Sequence, residues 1–156
     1  MFTPWRSATA YAAVITAGSF AVGTVITVGY SLAAGSWEDW ENSLLFTRYH
    51  AIFLAVVFTV LAVARRVCAP LPRWRAAVVD SGLYTLVMLV VSVITSIAEG
   101  VGVGEAVDWA FVEMTFALLT LQIPTAYVLS WWASERLTLA VHVPRRPSDP
   151  TARFEG

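Results

Sequence analysis

Four apolar stretches divide this 156-residue chain, and the charged residues between them segregate by sign to alternate sides. The stretches run over 9–34, 44–64, 77–98 and 109–133. At roughly 1.5 Å of rise per residue, a helix over any of them covers the about 30 Å of hydrocarbon in a bilayer. Nine of the ten basic residues, Arg6, Arg65, Arg66, Arg73, Arg75, Arg136, Arg145, Arg146 and Arg153, fall in the end segments and the loop that alternate counting places on one side. The opposite loops carry Glu38, Asp39, Glu41, Glu105 and Asp108, with Glu99 at their edge. Arginine accumulates on the cytoplasmic side of membrane proteins, so this pattern predicts four crossings with both termini in the cytoplasm of a cell whose plasma membrane holds the chain.

Composition agrees with that reading. The chain is 58% hydrophobic and only 13% charged, with a mean hydropathy of +0.67, which excludes a disordered segment or an ordinary soluble domain. The seven tryptophans, Trp5, Trp37, Trp40, Trp74, Trp109, Trp131 and Trp132, sit at the expected helix ends or in short loops, where an amphipathic ring is favoured at headgroup depth. The first stretch exceeds the usual length of a secretory h-region, so it is expected to remain as a crossing. Connections of about ten residues force neighbouring helices to run antiparallel. The expected fold is therefore all-α: a four-helix integral membrane bundle, up-down-up-down, N-in/C-in, over 1–143. The proline- and arginine-rich segment 144–156 is expected to be a disordered cytoplasmic tail.

One local similarity recurs. Gly35 to Trp40 and Gly104 to Trp109 share G-x-x-x-D-W. Two related hairpins would produce it, and so would loop chemistry used twice: glycine ending a helix, aspartate capping the next and tryptophan anchoring it.

Ionisable groups at membrane depth are costly, and each needs a reason. Arg48 is drawn below the outer interface, because the apolar run 51–64 is too short to span alone. Glu113 occupies the matching depth in the fourth crossing, so Arg48, Glu113 and the nearby Glu99 form the candidate intramembrane polar site. Three weaker candidates accompany them. His50 lies two positions from Arg48, on nearly the opposite side of a helix. Asp80 lies just inside the third crossing, where Arg73, Arg75 or Arg136 could neutralise it and a structural role is the default. Gln122 lies nine residues beyond Glu113, about 180° away on a continuous helix, so the fourth helix has polar groups on two faces; one can serve the bundle and the other suggests a partner chain, although a bond back to its own backbone would also satisfy Gln122. Rows of small and hydroxyl residues, Thr16, Ser19, Gly23 and Thr27 in the first helix and Ser81, Thr85, Met88, Ser92, Thr95 and Glu99 in the third, are expected to pack at the centre. Pro124 is expected to kink the fourth helix.

The single cysteine, Cys68, allows neither an internal disulfide nor a C-x-x-C pair. His50 and His142 fall on opposite sides, against a haem held by two histidines. With no nucleotide loop and no zinc-hydrolase motif, neither enzyme activity nor a cofactor is expected. Nucleic acid is not an expected partner. The sequence favours a small non-catalytic polytopic membrane protein that acts as a subunit or partner of a membrane assembly or as a homo-oligomer. The alternative is a small transporter or channel for protons, ions or a small solute, using the outward-facing Arg48 and Glu113.

Overall fold

The computed structural model describes residues 4–35, 48–68 and 71–137. Among these the chain is entirely helical, with five helices and no strand: α1 (Trp5–Ala33), α2 (Arg48–Val67), α3 (Arg73–Ala98), α4 (Val103–Leu119) and α5 (Gln122–Arg136). Three of them, α1, α2 and α3, are long and apolar enough to cross a membrane, and α4 with α5 makes a fourth if the bent pair counts as one span. The expected tail 144–156, His142, the acidic residues Glu38, Asp39 and Glu41, and Trp37 and Trp40 lie outside the described residues.

The helices extend past the apolar edges that the sequence suggested. Pro4 and Pro72 stand at the N-caps of α1 and α3, where a fixed φ suits helix entry and the missing N–H costs nothing. The polar turns they start continue the helical hydrogen bonding and place Trp5, Arg73 and Trp74 inside the helices rather than before them. α3 ends on Gly100 at φ +92°. The N–H of Gly100 donates to Ile97 O and that of Val101 to Ser96 O, the paired closure that a left-handed glycine permits.

The segment expected as the fourth crossing departs most from the sequence reading. Its helix begins at Val103 rather than 109, so Glu105 and Asp108 belong to the first turns of α4 and not to a loop. It then breaks at Thr120 and Leu121, and α5 leaves at 60° to α4. The cause lies four residues downstream, since the ring of Pro124 collides with the carbonyl of residue i−4, Thr120, and offers it no N–H. Leu121 absorbs the reversal at φ 58°, a left-handed conformation in a residue with a side chain. The G-x-x-x-D-W similarity also parts here: Gly35 follows the end of α1 at φ +73°, whereas Gly104 lies inside the first turn of α4. Described backbone at the two copies is thus not alike.

Packing closes α1, α2, α3 and α5 into a ring, each helix touching the next, while α4 leans on α3 and only lightly on α5. The ring is inside-out relative to a soluble domain. Valine, leucine, isoleucine and phenylalanine dominate its exposed surface, and its interior holds Ser19, Arg65, Asp80, Ser92 and Ser130 beside alanine and tyrosine. Such a surface is stable against hydrocarbon and not against water. The apolar helices and this inversion together point to a membrane protein.

Small residues set the closest approach. A Cβ built on Gly23 would stand 3.0 Å from Gln122 Oε1 and 3.1 Å from Gln122 Cβ, so α1 and α5 meet there only because position 23 has no side chain. The expected inward row of α1 holds for Thr16, Ser19 and Gly23, which are buried. In α3 the buried face takes in Met88 and Ser92 of the expected row and otherwise runs along Ala76, Ala77, Asp80, Tyr84, Val87 and Val91. Ser81, Thr85 and Thr95 sit beside it, with their hydroxyls donating to Ala77 O, Ser81 O and Val91 O one turn back on their own helix. A hydroxyl that satisfies itself on its own backbone has no need of the bundle centre, so only part of the expected row marks the inward face.

Candidate functional site

Four helices contribute one side chain each to a buried polar centre. Asp80 on α3 is 1% exposed. As the eighth residue of its helix, it lies about 10 Å along the axis from the Arg-bearing end. Its Oδ2 accepts from Arg65 Nη2 of α2 at 2.6 Å, from the Tyr11 hydroxyl of α1 at 2.5 Å and from Ser130 Oγ of α5 at 2.6 Å. Arg65 Nη2 also donates to Ala76 O at 3.1 Å, and its guanidinium lies 4.9 Å from the centre of the Tyr11 ring. Tyr11 and Ser130 meet directly, with 2.6 Å between their oxygens. Among the described residues, Asp80 Oδ1 and Arg65 Nε have no hydrogen-bond partner. All charge exchange is therefore concentrated on one carboxylate oxygen, which joins every member of the ring.

Each member sits in a row of four-residue steps. Arg65 extends the buried run Phe53, Val57 and Leu61 along one face of α2. Asp80 precedes Tyr84 in the same way on α3, and Ser130 lies between Ala126 and Ala133 on the buried face of α5. Correctly oriented helices therefore suffice to bring the four groups together. The expected neutralisers of Asp80 do not reach it: Arg73 pairs instead with Glu135 at 3.2 Å, on side chains that are both about half exposed. Arg75 and Arg136 lie over the rings of Trp74 and Trp132. Arg65 wins because it stands on the adjacent helix with its side chain pointed into the ring, where water cannot compete for the carboxylate.

A second polar layer lies further along. Gln122 Nε2 donates to the Tyr84 hydroxyl at 2.8 Å. This overturns the expectation that Gln122 faces a partner chain: the break at Leu121 rotates α5 relative to α4, so the angle counted on a continuous helix does not apply. Tyr84 packs edge-on against Phe53, which stacks with Tyr49. The Tyr49 hydroxyl is within hydrogen-bonding reach of the Glu113 carboxylate. His50 lies near that carboxylate as well, with its ring edge-on to Phe20 and Tyr49. Among the described residues, Glu113 Oε2 is buried and has no hydrogen-bond partner.

Of the candidates from sequence, Glu113 and His50 are thus brought near each other, with Tyr49, the neighbour of His50 on α2, beside them. Arg48 opens α2, but its side chain lies outside the described residues. Glu99 is exposed at the end of α3 and does not join Glu113. Asp80 and Gln122 belong to the two interior layers. Sequence reasoning missed Tyr11, Tyr49, Arg65, Tyr84 and Ser130. Their signal was the four-residue spacing of each to other inward positions, hidden because almost every position around these helices is apolar.

Chemically, the centre offers carboxylate, guanidinium, phenol and hydroxyl groups. Among the described residues no group of three His, Cys, Asp or Glu is placed to hold a metal ion. Cys68 is exposed as a free thiol. Comparison with protein-family models, curated proteins and solved structures finds no match to this chain. What the fold and centre define is a class: an all-helical membrane protein with a buried ionic core.

Proposed function

We propose that this chain is a small non-catalytic polytopic membrane protein of the plasma membrane that works by association, as a subunit or partner of a membrane assembly or as a homo-oligomer. In this reading it is a four-helix bundle with four crossings, α4 and α5 forming the last, up-down-up-down with both termini cytoplasmic. The contacts of Arg66 with Trp5 and of Arg73 with Glu135 support the topology, since they bring the start of α1, the end of α2, the start of α3 and the end of α5 to one level.

The observation that carries the association is the outer face of α1. Ala10, Ala13, Ala17, Ala21 and Gly29 are all exposed, spaced so that they form one lipid-facing row interrupted only by Val25. Steps of four drift by about 40° around a helix, which traces the shallow groove used by right-handed helix pairs. Lipid chains gain little from such a groove, whereas another helix gains backbone approach. The test replaces Cys68 by Ser and introduces Ala17→Cys, then measures cross-linking in native membranes and mass in mild detergent. Cross-linked species that vanish in an Ala21→Leu background are expected. A particle that stays monomeric and uncross-linked with no partner would refute the proposal.

A second reading has an observation of its own. Glu113 Oε2, buried and without a hydrogen-bond partner among the described residues, beside Tyr49 and His50, suits a transporter or channel for protons, ions or a small solute entering near Arg48. Flux into proteoliposomes, compared between the parent and Glu113→Gln, separates the two. A Glu113-dependent flux would favour transport.

A further inference from the structure

We propose that the Arg-bearing end of the protein binds the phosphodiester headgroups of anionic phospholipids, held on three guanidinium–indole stacks: Arg66 over Trp5, Arg75 over Trp74 and Arg136 over Trp132. The guanidinium carbons lie 4.3, 5.0 and 5.5 Å from the respective ring centres. Among the described residues this end holds Arg6, Arg65, Arg66, Arg73, Arg75 and Arg136 against two carboxylates, and both carboxylates are already engaged, Asp80 by Arg65 and Glu135 by Arg73. The three stacked arginines therefore have no carboxylate partner there.

A guanidinium held over an indole still has its N–H fork to offer to a further partner. That fork matches two oxygens of a phosphate, a geometry lysine lacks. The tryptophans set the depth, since Trp5, Trp74 and Trp132 are each about half exposed and such rings settle at the headgroup level. Below them the exposed Val63 of α2 and Val78 and Val79 of α3 offer apolar surface along which acyl chains lie. Headgroup charge above and hydrocarbon below together select a phospholipid over free phosphate.

The experiment uses the full chain in mild detergent, with native mass spectrometry and titration of phosphatidylglycerol, phosphatidylcholine or inorganic phosphate. Phosphatidylglycerol is expected to be retained over phosphatidylcholine, with retention falling as salt rises. Each of Arg66→Gln, Arg75→Gln and Arg136→Gln should weaken it about fivefold, and the triple variant about a hundredfold. Arg66→Lys, which keeps the charge and loses the fork, should fall between the parent and Arg66→Gln. Circular dichroism and size-exclusion profiles establish that each variant is folded, and the single variants carry the test if the triple one is not. Equal retention of both lipids, displacement of phosphatidylglycerol by millimolar phosphate, or an Arg66→Lys variant equal to the parent would each overturn the assignment.

Discussion

Removing Arg65 should destabilise the fold far more than removing an arginine of the same charge from the surface, and the structure says by how much. In Arg65→Met the Asp80 carboxylate, on a side chain 1% exposed, keeps Tyr11 and Ser130 as donors but loses its counter-charge. Breaking a buried pair from one side costs about 3–5 kcal/mol. Asp80→Asn should cost less, about 1–2 kcal/mol, because Arg65 keeps its bond to Ala76 O and, lying near the end of α2, can extend its head toward the interface. The double variant Arg65→Met with Asp80→Asn leaves no unpaired charge, and it should recover at least about 2 kcal/mol relative to the sum of the singles. Arg73→Met supplies the comparison, since its 3.2 Å pair with Glu135 has both side chains 48% exposed and is worth about 0–1 kcal/mol. Equilibrium unfolding in mixed micelles of mild detergent and dodecyl sulfate reads all four. The reasoning is refuted if Arg65→Met costs no more than Arg73→Met, or if the double variant equals the sum of its parts.

Three further expectations test other parts of the architecture. Gly23→Leu should disrupt the contact of α1 with α5, because even a Cβ there meets Gln122, whereas Gly29→Ala, with nothing within 4 Å, should stabilise by about 0.5–1 kcal/mol; the same micelle unfolding ranks them. Tyr84→Phe removes the acceptor of Gln122 Nε2 and should cost about 0.6 kcal/mol, at most about 1.7, so an effect near that of Arg65→Met would mean the second layer is more than one hydrogen bond. Leu121→Gly relieves a left-handed residue and should stabilise by about 1 kcal/mol, while Pro124→Ala should shorten the break, seen as a changed distance between spin labels on α4 and α5; an unchanged distance would move the cause of the bend away from the proline.

Sequence and structure divide the work along physical lines. A bilayer is a solvent that accepts only runs of apolar residues with their backbone satisfied internally, so hydropathy alone gave the number and approximate extent of the apolar segments. Charge counting placed nearly all the arginines together, and the contacts of Arg66 with Trp5 and of Arg73 with Glu135 draw four of the helix termini to one level. The proline signal in the fourth crossing was legible too, although its consequence was larger than a kink. What hydropathy could not supply was rotation. In a soluble helix the apolar stripe marks the inside, but here lipid-facing and inward positions are both apolar, so nothing in the pattern of α3 distinguished the face of Asp80 and Tyr84 from that of Ser81 and Thr85. The break at Leu121 compounded this by turning Gln122 inward.

Arg65 shows the limit most plainly. By sequence it is one of a pair of arginines at the end of an apolar run, indistinguishable from Arg66. One residue is 100° of rotation on a helix, and that rotation alone sends Arg65 to Asp80 and Arg66 to the ring of Trp5. The apolar segments and the grouping of their charges were therefore set by the order of residues along the chain, because solvent acts on each segment separately. The choice of partners was set only when four helices closed on a common centre, because it depends on which faces meet.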